Sequence, residues 1–76
     1  MAKYRDMIEA PRWAGGSRLV RDLAWGYDLK LDIQIDKGWI RETVRFAVEG
    51  DDQKVINFKK DLYASIEDYQ RRVAKA

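Results

Sequence analysis

Residues 27–36 constrain the fold more than any other stretch. Tyr27, Leu29, Leu31, Ile33 and Ile35 alternate with Asp28, Lys30, Asp32, Gln34 and Asp36. Successive side chains on a strand point to opposite faces, so this alternation describes a strand with one buried and one wet face. Residues 39–48 repeat the pattern. Ile40, Val44, Phe46 and Val48 form the apolar row, interrupted by Glu42, while Trp39, Arg41, Thr43, Arg45 and Ala47 take the other face.

Asp36-Lys37-Gly38, between the two runs, is a hairpin signal. A three-residue loop would set Ile33 against Arg41 and mix the faces. A two-residue loop at Lys37-Gly38 sets Ile35 opposite Ile40, Leu31 opposite Val44, Leu29 opposite Phe46 and Tyr27 opposite Val48. The same register places Glu42 against Ile33 and Lys30 against Arg45, and a four-residue loop preserves it. A one-residue slip would turn every side chain over, so this is the expected pairing.

After Gly50 the period changes. Val55, Phe58, Leu62, Ile66, Tyr69 and Val73 step by three or four, which is one face of a helix over about 52–74. Asp51 or Asp52 is placed to cap its start. Arg71, Arg72 and Lys75 sit near its end, where the helix dipole favours cations. Glu67–Arg71 and Asp68–Arg72 are helical i,i+4 pairs. The competing reading makes Val55–Phe58 a third strand.

The first 26 residues carry weaker signals. Tyr4, Met7 and Ile8 read as a short amphipathic turn ending before Pro11. Residues 1–16 then form an arm on a single domain spanning residues 1–76. Trp13-Ala14-Gly15-Gly16 reads as a loop, and Ser17 as the cap of a short helix carrying Leu19, Val20, Leu23 and Ala24 to about Gly26. The expected fold is α+β, with the order αββα: a hairpin (about 27–36 and 39–48) covered by the long C-terminal helix, beside a short N-terminal helical segment. A lone hairpin is marginal in water and gains stability from such packing. Its two open edges invite pairing with another chain, so a two-fold homodimer with a continuous sheet is expected.

Composition narrows the chemistry. The chain of 76 residues has neither cysteine nor histidine, which removes disulfides, thiolate zinc sites and Cys–His catalytic pairs. No cofactor and no metal are expected, and the chain does not read as an enzyme. The net charge of +2 comes from 15 basic and 13 acidic residues spread along the sequence, a weaker bias than a basic stripe for nucleic acid. No segment reads as a membrane span or a signal peptide, and the cytoplasm is the expected compartment.

Asp28, Asp32 and Asp36 line the polar face of the hairpin, with Asp28 and Asp32 about 13 Å apart at ~3.3 Å per residue, too far for a catalytic carboxylate pair. They read as a solvated row. Glu42 reads as a buried or interfacial charge that fixes register or partner choice. Three tryptophans, Trp13, Trp25 and Trp39, exceed what so small a core needs. Trp25 reads as covering an end of the core. Trp39 and Trp13, with Arg41, Arg45 and Lys30, form the candidate partner-binding surface, because Trp and Arg concentrate in binding hot spots. Gly15-Gly16-Ser17-Arg18 precedes a helix start, and Arg12, Arg18 and Arg21 are candidate anion contacts. The leading expectation is a small non-catalytic interaction module that binds a protein partner as an inhibitor, adaptor or subunit. The alternative is nucleic-acid binding through Arg12, Arg18, Arg21, Lys30, Arg41 and Arg45, with bases stacked on the aromatics.

Overall fold

The two alternating segments do pair as a hairpin, and a third strand joins them. The computed structural model describes residues 1–75, with the side chains of residues 1–72. Strand β1 (Ala2–Pro11) leads through a single 3-10 turn (Arg12–Ala14) into helix α1 (Gly16–Gly26). Strands β2 (Lys30–Lys37) and β3 (Arg41–Gly50) follow, and helix α2 (Asp52–Lys75) closes the chain. All pairings are antiparallel and the sheet order is β1-β3-β2. The fold is therefore α+β, with an antiparallel hairpin, a long C-terminal helix over it and a short helix before it.

The amphipathic turn expected at the start of the chain is instead β1, which pairs with β3 from Ala2↔Gly50 to Pro11↔Arg41. Ala2, Tyr4, Asp6, Ile8 and Ala10 face inward, and Lys3, Arg5, Met7 and Glu9 face out. The alternation was hidden because an acid, Asp6, sits on the inner face and a methionine, Met7, on the outer one. Packing against β3 overrides that local ambiguity.

The hairpin register also differs from expectation. β2 and β3 pair from Lys30↔Glu49 to Lys37↔Glu42, so Ile33 stands opposite Phe46 and Ile35 opposite Val44. The chain reverses at Trp39-Ile40, two residues beyond the expected Lys37-Gly38, and the Gly38 N–H donates to the Arg41 carbonyl at 2.8 Å. An even shift keeps the apolar faces together. It also improves the electrostatics. Lys30 now opposes Glu49 rather than Arg45, and Glu42 opposes Lys37 rather than Ile33. β1 holds the new tip, since the Arg12 N–H donates to the Ile40 carbonyl at 2.9 Å. Ile40, expected in the buried row, is consequently exposed.

Tyr27 and Asp28 precede β2. Asp28 takes a left-handed conformation (φ 55°) in the turn after α1, so it does not join Asp32 and Asp36 on the sheet. α1 starts after Gly15, whose φ of 74° suits a residue without a Cβ; Ser17 lies inside the helix and caps nothing. α2 starts as expected, with Asp51 accepting from the Lys54 N–H at 3.4 Å. Val55, Phe58 and Leu62 are buried, and Ile66 and Tyr69 half-buried, along its inner face. The expected Glu67–Arg71 and Asp68–Arg72 pairs form at 3.3 and 2.6 Å. The roles expected for Val73 and Lys75 lie outside the described side chains. Among the described residues, no helix is long and apolar enough to cross a membrane.

The core lies between the sheet's inner face and the two helices: Val44, Phe46 and Val48 from β3, Val20 and Ala24 from α1, Leu29, and Val55, Phe58 and Leu62 from α2. Tyr4, Phe46 and Phe58 meet edge to face, with centroids 5.9–6.5 Å apart, joining β1, β3 and α2 at one point. Phe58→Ala removes the fully buried member at a cost of about 3–5 kcal/mol. A core this size supplies about the same in total. The variant is therefore expected to lose its cooperative thermal transition by circular dichroism, and a sharp melt lowered by only a few degrees would show that Phe58 is not central.

Candidate functional site

The hairpin tip and the turn after β1 converge at one end of the sheet. The Arg12 guanidinium donates to the Trp39 carbonyl at 3.5 Å, alongside the Arg12 backbone bond to Ile40. These bonds bring two segments far apart in sequence, the turn at Arg12-Trp13 and the tip at Trp39-Ile40, to the same end of the sheet. Their apolar residues are exposed: Trp39 by 92%, Trp13 by 75% and Ile40 by 59%. Arg41 flanks them and is paired with Glu9 at 3.0 Å. Indole rings fully presented to water are unfavourable on their own account, and clustered apolar exposure of this kind marks contact surfaces. A groove of about 810 Å³ opens beside this end between β1, the start of α1 and the distal half of α2, with Ile8, Pro11, Leu19, Ile66 and Tyr69 among its walls.

Of the residues expected at a partner surface, Trp39, Trp13 and Arg41 come together here, with Arg12. Arg45 lies further along the outer face of the sheet, opposite Gln34 and paired with Asp36 at 3.7 Å. Lys30 lies at the far end of β2 and does not join them. Arg18 and Arg21 project from α1, on the helical side of the sheet, and Arg18 pairs with Asp22 at 3.8 Å. The six candidate cations thus divide between both faces and one end. Glu42 is buried, 7% exposed, at the same end as Trp39, between Ala10 and Lys37. Trp25, expected to cover the core, is 86% exposed at the end of α1, because Val20 and Ala24 already fill that face of the helix. Among the described residues, no three Asp or Glu side chains converge as metal ligands would.

One polar cluster escapes a sequence reading. The Tyr4 hydroxyl donates to Asp6 Oδ2, the Tyr63 hydroxyl donates to the same oxygen at 3.2 Å, and the two phenol oxygens lie 3.1 Å apart. Lys59 Nζ sits 5.2 Å from the Tyr4 ring centroid and 5.8 Å from that of Tyr63. The cluster fastens α2 to β1. Its sequence signal is the Tyr4-x-Asp6 spacing, which puts both side chains on one face only if residues 2–11 are a strand. A second tie joins Tyr27 to Asp61 on α2. Comparisons with protein-family models, with curated proteins and with solved structures find no match for this chain.

The hydrogen bond from Tyr4 is the main influence holding the Asp6 carboxyl below its ordinary value of 3.8, helped by the Met7 N–H, Tyr63 and the Lys59 charge against some desolvation. Burial, reinforced by the bond to Asp6, pushes the Tyr4 hydroxyl above its ordinary 10.0. A carboxyl depressed in the folded state contributes stability that is complete above 3.8 and disappears as the pH falls through the folded value. Tyr4 acts at the other limit: its contribution is complete below 10.0 and lost as the pH rises towards its folded value. In urea titrations, the midpoint of the native chain should drop on acidification below 3.8, and Asp6→Asn should flatten that drop. Parallel acid limbs for the two proteins would remove Asp6 from the account.

Proposed function

We propose that this chain is a small non-catalytic module that binds a protein partner through the Trp39 end of its sheet, acting as an inhibitor, adaptor or subunit, and that it works as a homodimer. One observation carries the partner surface: Trp39 and Trp13 both stand exposed, and the bonds from Arg12 to the Trp39 and Ile40 carbonyls bring the chain segments that carry them to the same end of the sheet. Two tryptophans, an isoleucine and two arginines have the composition of a binding hot spot. The sheet and the Arg12 bonds hold the backbone that carries them, so little backbone freedom is lost on binding. The neighbouring groove provides a concave apolar surface for a partner residue.

The scattered placement of Arg12, Arg18, Arg21, Lys30, Arg41 and Arg45 favours this reading over a continuous track for nucleic acid. Affinity capture with the purified chain, from nuclease-treated lysate of its native cell, compares the native protein with Trp39→Ala. Because Trp39 is 92% exposed, the variant should keep its fold and melting temperature while losing its partner by at least about tenfold, the scale of a hot-spot truncation. An unchanged set of bound proteins would sink the reading. So would binding that vanishes with nuclease or steeply with salt.

A further inference from the structure

The two outer edges of the sheet are not equivalent. In an antiparallel ladder, alternate residues of a strand bond to one neighbour and present their N–H and C=O to the other side. The Gly38–Arg41 bond sets the phase of β2, in which even-numbered residues bond to β3 and Leu31, Ile33, Ile35 and Lys37 present theirs outward. The Arg12–Ile40 bond sets the phase of β1, where Lys3, Arg5, Met7, Glu9 and Pro11 carry the outward groups.

The β1 edge is closed to pairing. The Met7 N–H at its middle donates to its neighbour's carboxylate, Asp6 Oδ1, at 2.7 Å. Pro11 has no N–H, and Lys3, Arg5 and Glu9 are charged, all devices that blunt an edge. The β2 edge has no proline and, among the described residues, no side chain bonded to its central N–H groups, and the residues that carry its central outward groups, Leu31, Ile33 and Ile35, are apolar. The Leu29 N–H is taken by the Ala24 carbonyl at 2.9 Å, which closes only the beginning. Among the described residues, nothing bonds to the outward groups of Leu31, Ile33 and Ile35. Their side chains are also only half-buried, whereas Val44, Phe46 and Val48 opposite them on β3 are at most 4% exposed.

We infer that the β2 edge pairs with the β2 edge of a second copy of this chain, antiparallel about a two-fold axis through Ile33. Among the registers within two residues of it, that one alone is self-complementary. Ile33 faces its counterpart, Leu31 faces Ile35, Lys30 faces Asp36 and Asp32 faces Gln34. A two-residue slip in one direction opposes Asp32 to Asp36, and in the other it opposes Asp32 to its own counterpart. A one-residue slip puts the helical layers of the two copies on opposite faces. In the matched register Leu31, Ile33 and Ile35 each donate and accept one backbone bond, because these are the residues whose groups point outward. The result is a six-stranded sheet, twice the three strands of one copy, with β1 as its protected rim on both sides. The inference rests on the homodimer within the proposed function and is independent of what Trp39 binds.

Sedimentation equilibrium on the full chain tests it. The native protein should dimerise. Lys30→Asp sets an aspartate against Asp36 of the second copy, and Asp36→Lys sets a lysine against Lys30 of the second copy. Each clash occurs twice by symmetry, so each variant alone should weaken the dimer roughly tenfold. An equimolar mixture of the two variants forms a heterodimer in which the introduced aspartate meets the introduced lysine and the native Asp36 of one copy meets the native Lys30 of the other, whereas each variant's own homodimer opposes like charges. The mixture should therefore dimerise with native strength. Both sites are exposed; Asp36→Lys loses the surface Asp36–Arg45 pair and Lys30→Asp faces Glu49 within its own copy, surface effects of little weight that the mixture does not relieve, so recovery in the mixture reports the interface alone. Amide exchange supplies a readout free of substitutions: Leu31, Ile33 and Ile35 should gain protection with concentration, while Lys3, Arg5 and Glu9 stay fast. A monomeric native chain, a dimer indifferent to both charge reversals, variants whose mixture stays monomeric, or fast exchange at Ile33 within a dimer would each overturn the pairing. A monomer that still captures its partner through Trp39 overturns only the pairing. A dimer without any Trp39-dependent partner supports the pairing and overturns the proposed partner surface.

Discussion

Everything in this molecule is assembled on the inner face of β3. Val44, Phe46 and Val48 are buried there under both helices, with β1 on one side and β2 on the other. Phe46 contacts Tyr4 and Phe58 in the same edge-to-face group, so one side chain couples a strand, the central strand and the long helix. A chain this short has little apolar area to distribute. Concentrating it on one central strand lets both neighbouring strands and both helices share the same core.

That arrangement explains the polar features around it. The Tyr4–Asp6–Tyr63 cluster and the Tyr27–Asp61 bond lie at the margins of the core and tie α2 down where apolar contact runs out. The outer face of the sheet is left uncovered and is accordingly charged, with opposite charges facing across strands at Lys30–Glu49 and paired at Arg45–Asp36. The tryptophans fall outside both schemes. Trp13 and Trp39 add nothing to the core, yet specific bonds hold the backbone of the two segments that carry them.

The two strands of the hairpin and the long helix were legible from periodicity, because one face of each is dry and the residue pattern must follow. The cap at Asp51 and the i,i+4 pairs of α2 were legible for the same local reason. The strand β1 was not. Asp6 looks misplaced until Tyr4 and Tyr63 are known to surround it, and Met7 looks buried until the outer face is known to be wet. The hairpin tip was not legible either, because Asp36-Lys37-Gly38 is a strong local turn signal, whereas the true register is marked by charges that face each other only across the paired strands, Lys30–Glu49 and Lys37–Glu42. Part of the candidate surface could be named in advance, since surplus tryptophans are visible in a composition. Which arginines accompany them could not, since Arg45 and Lys30 leave the group only when the register is known.

The order of residues alone determined that this chain makes a hairpin with one apolar face and a helix to cover it, that no disulfide can brace it, and that it carries more indole than its interior can use. Those properties depend on side-chain period and composition, which are local. The tertiary structure decided that β1 enters on the far side of β3, that Trp39 and Ile40 rather than Lys37 and Gly38 form the tip, and that Arg12 bonds to that tip. It also decided which edge is capped, because Asp6 can close β1 only once that segment is extended against β3. These are pairings between residues distant in sequence, selected by burial and charge over the whole sheet, and no local pattern contains them.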